Sequence, residues 1–434
     1  MTQFHKRIAA AMGANTFGNL VTIGIQLASL PLFLHYWDTA RYGLWIIITA
    51  LPSYFSMADV GMVSVAGNKM TMSMGREDYT AANRTFQSAL LFMLGTCSTL
   101  FLVSLPFVIW VKWQGFESAE YKTTLVALIM VVLVTFFSGL AEAIFRATHR
   151  YALGTMMSNF IRVAEWSGGM VGLWWDAHFS SVAIGMLFAR LLGVLIAIAY
   201  SNQGTQGRIQ WGLKHASWQE VREMFKPAVA FMMFPLSNAL SFQGITLLVG
   251  YLFGTSTVAI FNTYRTLARL AVQASSIFSH ALWVEFSHAF GQGGANAIRG
   301  LYGRAIWLGA AIAFGLSFVL YFLAPLLLKL WTHGAIPFQS TLVLTMLAYA
   351  AVGGAWHVPR TLLLSTNEHG KLAKWSLGVA VFSVVLAYLL GRWLQVEGVV
   401  LAMLISELLI AVASIVFVNQ LLRVPNASLR TSHS

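Results

Sequence analysis

A succession of about twelve apolar stretches, each roughly 20 residues long, runs through this 434-residue chain and decides what it can fold into. A helix of that length spans the hydrocarbon of a bilayer. It also satisfies its backbone polar groups internally, as lipid demands. The stretches fall at roughly 10–35, 43–67, 85–111, 122–147, 153–175, 180–200, 227–250, 258–282, 304–329, 339–365, 374–393 and 398–420. They consume about 240 residues, and the connections and tails left over hold no separate soluble domain. Composition agrees: 58% of residues are hydrophobic and 10% charged, against about a quarter charged in a soluble protein. Disorder and an ordinary cytosolic enzyme are excluded. The expected fold is an all-α polytopic membrane protein of about 12 transmembrane helices. Cys97 stands alone, which excludes an intramolecular disulfide and a cysteine-based zinc site. The basic start, Lys6 and Arg7, runs straight into a full-length span holding Asn15 and Asn19, and reads as a retained first helix.

Orientation follows from the loops. With the N-terminus inside, one side collects Lys6, Arg7, Lys69, Arg76, Arg84, Arg208, Lys214, Arg299, Lys371, Lys374 and Arg423, among others. The opposite side holds only Arg41, Lys112, Lys122, Lys329 and Arg392. This is the positive-inside pattern, with both termini cytoplasmic. Trp37, Trp45, Trp110, Trp113 and Trp331 fall near the outer interface and Trp211, Trp218 and Trp375 near the inner one, as an aromatic belt requires. Trp166, deep in the fifth span, has no such explanation. The net charge of +12 is spread over short inner loops and reads as topology and contact with anionic lipid, not as nucleic-acid binding.

The longest connection, 201–226, lies at mid-chain. Its later part sets Trp211, Leu213, Trp218, Val221 and Phe225 among charged residues, which predicts an amphipathic helix on the cytoplasmic face. A weak repeat at an offset of 219 brings Asn19 onto Asn238 and Tyr42 onto Phe261, and pairs the loop at MGREDYTAANRTF with FGQGGANAIRGLY. The expected organisation is an N-terminal six-helix bundle (1–200), the linker (201–226), a C-terminal six-helix bundle (227–420) and a cytoplasmic tail (421–434). The two bundles are pseudo-symmetric about an axis along the membrane normal.

Ionisable residues inside spans are costly and are functional candidates by default. Arg265 and Arg269 are i and i+4 in the eighth span, hence on one face, with no acid on that helix before Glu285. Two such guanidiniums suit a bidentate grip on phosphate oxygens; pairing with acids on a neighbouring helix is the alternative. The repeat-related positions Ile46 and Ala50 are apolar, so the site is asymmetric between halves. Arg162 with Glu165, and Glu142 with Arg146, read most simply as intrahelical pairs. Arg190 and Arg360 have no acid on their own helices, and Arg360 is near enough to the inner surface to snorkel. Glu407, mid-span, is a candidate proton or sodium carrier, or a salt-bridge partner for an arginine. Pro31 and Pro235 are candidate kinks and gates in the first span of each half. Asn19 and Asn238 either tie helices together or line an aqueous cavity. Metal-ligand spacing, phosphate-binding glycine loops and hydrolase motifs are absent, and no cofactor is expected beyond an H+ or Na+ coupling ion.

Residues 15–70 hold early asparagines, Gln26, Pro31, Tyr42-Gly43 and Asp59-x-Gly61 followed by Asn68. With 360–378, RTLLLSTNEHGKLAKWSLG, this resembles the Wzx-like polysaccharide and O-antigen flippases of the multidrug/oligosaccharidyl-lipid/polysaccharide (MOP) exporter superfamily. The resemblance implies a V-shaped pair of six-helix bundles around a central cavity, working by alternating access. The implied substrate is a polyprenyl-pyrophosphate-linked oligosaccharide moved to the outer leaflet of the bacterial cytoplasmic membrane. Membrane lipids, a polysaccharide polymerase and a chain-length regulator are the implied partners. Asp59 matches the family's acidic position at the inner end of the second helix, where it serves ion coupling or caps a turn. Arg162 and Arg360 join Arg265 and Arg269 as candidate substrate contacts.

Three functions compete. A flippase fits the excess of arginines over acids within the spans. A multidrug or cation antiporter calls for cavity carboxylates instead, and a membrane-embedded polysaccharide polymerase calls for a large outer loop that this chain does not have. The topology is testable. A reporter fused after residue 205 should read cytoplasmic and one near residue 334 periplasmic, and reversal of either result overturns the orientation.

Overall fold

The computed structural model of the protein describes residues 3–110, 119–205, 208–366 and 368–423 and contains no strand among them. Lys112, Trp113, Asn367 and the tail beyond Arg423 fall outside the described residues, as do the side chains of Lys6 and Arg7. The helices in chain order are α1 (Gln3–Tyr36), α2 (Thr39–Ser53), α3 (Met62–Gly75), α4 (Tyr79–Trp110), α5 (Ala119–Ala147), α6 (Tyr151–Asp176), α7 (Phe179–Gly204), α8 (Trp218–Ala239), α9 (Ile245–Phe253), α10 (Thr255–Trp331), α11 (Ser340–Ala355), α12 (His357–Ser365) and α13 (Gly370–Arg423). A 3-10 turn (Tyr54–Asp59) joins α2 to α3 and a π-helical turn (Leu240–Gly244) joins α8 to α9.

Among the described residues, nine helical stretches are long and apolar enough to cross a membrane. The other expected spans are helical as well. α6 carries Arg162 and Glu165 in its interior. The eighth and ninth spans are one helix, α10, because the backbone stays helical through the expected loop at 283–303. The eleventh and twelfth share α13, which doubles back at Gln395 (φ 55°, ψ −143°). Gly398 makes that hairpin possible: a Cβ there would lie 2.2 Å from the Leu390 carbonyl oxygen.

The chain divides into two compact units, Met1–Asp38 with Ile48–Pro235, and Thr39–Ile47 with Leu236–Ser434. The second boundary falls inside α8, downstream of the expected linker, and the first turns of α2 belong to the second unit. Gly43 explains that assignment, since a Cβ would meet the Thr255 carbonyl oxygen at 1.7 Å. Only glycine allows this approach, and Tyr42 beside it hydrogen-bonds Asn262 of α10.

In the first unit α5 is the central helix, packed against α3, α4, α6 and α7. The α6–α7 hairpin closes on glycines: Cβ atoms at Gly168 and Gly172 would lie 2.3 Å and 2.1 Å from the carbonyl oxygens of Gly185 and Ser181. Small residues let backbones meet where no hydrophobic effect drives association. Pro31 lies inside α1, which runs on to Tyr36 unbroken. Pro235 is likewise inside α8, and the irregularity of the seventh span comes five residues later, at the π-helical turn. In the second unit α11 lies along α10 and against α13, with α12 beside them.

The linker differs from expectation. Residues 208–217 are not helical, and α8 starts at Trp218 and continues into the seventh span instead of lying on the membrane. The linker is sewn to α4. Asn83 accepts the Gln210 N–H (2.8 Å), Gln87 accepts that of His215 (2.5 Å), and Ser88 accepts that of Ser217 (2.9 Å). Trp211 packs edge-on to Phe86 and donates to Ser201 (3.1 Å), so it is a wedge in the bundle end, not a surface anchor. Glu220, 4% exposed, fixes α8: it meets Lys69 at 2.6 Å and Arg84 at 3.3 Å, and accepts the Thr85 hydroxyl at 2.8 Å.

Burial opposes the Glu220 charge, but Lys69, Thr85 and Arg84 more than offset it and hold the carboxyl below the usual glutamate range. A carboxyl depressed in the folded state stabilises above its unfolded value, about 4.3, and that contribution is lost as pH falls through the folded value. Glu220→Gln should therefore lower the melting temperature at pH 7, by the equivalent of about 1–3 kcal/mol. The gap to the parent should close as pH falls below about 4. An equal gap at both pH values would assign the loss to packing alone.

Candidate functional site

The second unit carries a chain of polar side chains through its helices. Arg265 on α10 is 1% exposed and donates to three protein acceptors: the Phe242 carbonyl (3.0 Å), the Thr246 hydroxyl (2.6 Å) and Asn262 Oδ1 (3.0 Å). Its guanidinium also lies 3.7 Å from the Phe242 ring centroid, a cation–π contact. Phe242 is in the π-helical turn, where the backbone register slips and carbonyls lose regular partners. Arg265 thus clamps the irregular seventh span to α10. This corrects the picture of two guanidiniums open to one ligand, because Arg265 is already committed to holding the fold.

Arg269, one turn along the same face, is different. It is partly exposed, its guanidinium lies 5.0 Å from the Phe242 ring, and it makes no hydrogen bond to protein among the described residues. Tyr349 of α11 is within electrostatic reach of both arginines and of Glu407. The donors of Arg269 are not taken up by the described protein groups, and the positive charge of Arg265 lies one turn away.

Glu407 on α13 accepts the Trp356 indole N–H at 2.6 Å and faces the charge of Arg360. The tenth span breaks to allow this, since Trp356 sits at the junction of α11 and α12. Ser275 donates to the Gly354 carbonyl at 2.6 Å next to the break. Gly353 lies beside the carboxylate; a Cβ there would be in ordinary contact with Glu407 Oε2, at 3.5 Å. Arg360 lies 5.6 Å from the Trp356 ring, so it turns inward to the acid and does not snorkel. Asn238 is exposed and belongs to the last turn of α8.

In the first unit an ion pair joins two neighbouring helices. Glu165 pairs with Arg190 of α7, not with Arg162 one turn away. Arg162 is exposed and donates to Thr22 of α1 at 2.7 Å. Glu142 accepts from Ser158 at 2.9 Å, so neither expected intrahelical pair forms the principal contact. Trp166 donates to Ser29 at 2.9 Å, which accounts for an indole so deep in a span. Asn159 donates to the Ala14 carbonyl at 3.0 Å, tying α6 to α1, and Asn19 is exposed. Asp59 closes a tight turn: its Oδ1 accepts the Gly61 N–H at 3.0 Å, across Val60 and Gly61 at positive φ (50° and 79°).

Thr246, Tyr349 and Trp356 were not singled out by sequence. Only Trp356, an indole in mid-span like Trp166, carried a signal that could have found it.

Residues 39–333 match the model of a family described as "Polysaccharide biosynthesis protein". No curated protein matches the chain. Among solved structures, an inward-facing multidrug resistance MATE family transporter of the MOP superfamily aligns with a TM-score of 0.69 at 13% identity, over 96% of this chain and 100% of that one. An outward-facing conformation of such a transporter aligns at 0.65 and 14% identity, over 98% and 95%. A MATE in a straight conformation gives 0.61 and 14%, over 98% and 95%. At these identities the likeness is one of fold: a multi-pass helical transporter architecture.

The two arginines should separate by experiment. Hydrogen bonds to charged groups contribute about 1.5–3 kcal/mol each, and Arg265 makes several. Arg265→Ala should sharply reduce the yield of monodisperse protein after detergent extraction. Arg269→Ala should leave that yield near the parent's. Equal yields for both would remove the clamp.

Proposed function

Because this chain belongs to the polysaccharide biosynthesis protein family, we propose that it is a flippase moving a polyprenyl-pyrophosphate-linked oligosaccharide by alternating access. The cargo is an O-antigen or exopolysaccharide repeat unit, carried from the inner to the outer leaflet of the bacterial cytoplasmic membrane. The chain is a carrier, not an enzyme, with both termini cytoplasmic; a polymerase and a chain-length regulator act after it. The observation that carries the reading is Arg269: a guanidinium inside a membrane helix with no protein hydrogen bond among the described residues, beside a second, fixed guanidinium.

A pyrophosphate leaving water needs fixed donors, since an unpaired ion in hydrocarbon costs far more than ordinary contacts return. Arg269 supplies planar, bidentate donors of the right geometry. Arg162, which donates to Thr22, is the second candidate contact, and exposed Asn19 and Asn238 are candidates for sugar hydroxyls. Glu407, between Trp356 and Arg360, is the candidate carrier of a coupling proton or sodium ion. Asp59 is the weaker one, as it already closes a turn.

A MATE-like cation antiporter shares the fold, and its substrates favour cavity carboxylates. Here Glu165 pairs with Arg190 and Glu407 faces Arg360, so the available charge is positive.

The test is restoration of surface polysaccharide in a flippase-deficient strain, with membrane levels matched. Arg269→Ala should reduce restoration at least tenfold, while Arg269→Lys keeps part of it. Glu407→Gln should leave cargo binding intact and flatten the dependence on the ion gradient. Full restoration by Arg269→Ala overturns the anion site. Restoration by the parent of drug resistance, but not of polysaccharide, overturns the flippase.

A further inference from the structure

The hairpin of α13 carries a groove. It has a volume of about 560 Å3 and runs between the two arms, with Trp375, Val379 and Phe382 on one side and Leu409 and Phe417 on the other. Gly378 leaves its floor open; a Cβ there would meet nothing within 4 Å. The Trp375 indole N–H reaches the Leu409 carbonyl (3.4 Å), so the tryptophan bridges the arms instead of filling the space. Trp375 and Phe382 remain 47% and 45% exposed.

The polar lining is confined to one end, where Lys371 and Lys374 stand at i and i+3 on one face of the helix. Both are exposed, and no acid lines the groove. Glu368, one turn earlier, is outside the lining. The basic end is the one that also holds Arg423 at the return of the second arm and the Arg299 contact to the Leu422 carbonyl (2.8 Å).

Two lysines above a long apolar trough, with a tryptophan at the interface, match one ligand shape: an anionic head on an acyl tail. A zwitterionic lipid meets the same apolar walls but has no net charge for the lysines. Basic pockets between membrane helices on the inner side select anionic lipid on these grounds. We propose that this groove is a binding site for an anionic phospholipid, whose phosphate rests on Lys371 and Lys374 and whose acyl chain lies along Trp375, Phe382 and Phe417. Arg269 is not among the residues that line it.

The experiment uses the full chain, purified and delipidated, and mixed with phosphatidylglycerol, with phosphatidylcholine of the same acyl chains, or with undecaprenyl phosphate. Native mass spectrometry counts bound lipid, and thermal melting reads stabilisation. The parent should retain phosphatidylglycerol at least tenfold better than phosphatidylcholine and melt higher with it. Lys371→Gln with Lys374→Gln should remove the preference, leaving the phosphatidylcholine baseline. Gly378→Trp, which fills the trough and keeps both charges, should lower phosphatidylglycerol occupancy as well. Equal retention of the two phospholipids, an unchanged preference in the double variant, or preferential binding of the polyprenyl carrier would each overturn the proposal. Arg269→Ala should bind phosphatidylglycerol like the parent, which separates failure of this site from failure of the transport reading.

Discussion

Every polar group within hydrocarbon must find its partner in the protein, and this governs the interior of both units. Where a helix is regular, the backbone meets the requirement by itself. Where it is not, a side chain from a neighbouring helix steps in. Arg265 and Thr246 serve the π-helical turn, and Ser275 takes the Gly354 carbonyl beside the break in the tenth span.

The same rule sorts structural charge from functional charge. A guanidinium with its donors satisfied by protein, such as Arg265, stiffens the fold and has little to offer a ligand. One that keeps its donors, such as Arg269, has hydrogen-bonding capacity that the described protein groups leave unused. Both arginines lie on α10 in the second unit.

Span count, helical class and superfamily resemblance were legible because each rests on local properties: apolar run length, basic loops and a few turn residues. The partners of charged residues were not. Glu165 has Arg162 one turn away on its own helix and still pairs with Arg190, because the glycine contacts of α6 and α7 bring that arginine closer. Lys69 looked like one more inner-loop cation, yet it anchors Glu220 across 151 residues. The linker shows the same limit. Its alternating apolar and charged residues gave a plausible surface helix, but Asn83, Gln87 and Ser88 claim its backbone first. Periodicity reports what a segment prefers alone, and here hydrogen bonds to a distant helix outweigh that preference.

The first turns of α2 belong with residues that come far later in the chain. Gly43 packs on Thr255, so at a usual synthesis rate the nine-residue segment waits roughly 10 to 40 seconds for its counterpart to leave the ribosome. During that interval the N-terminal unit holds an incomplete second span whose leading end is without its native neighbours. Assembly of this protein therefore proceeds as a stitch taken early and drawn tight late.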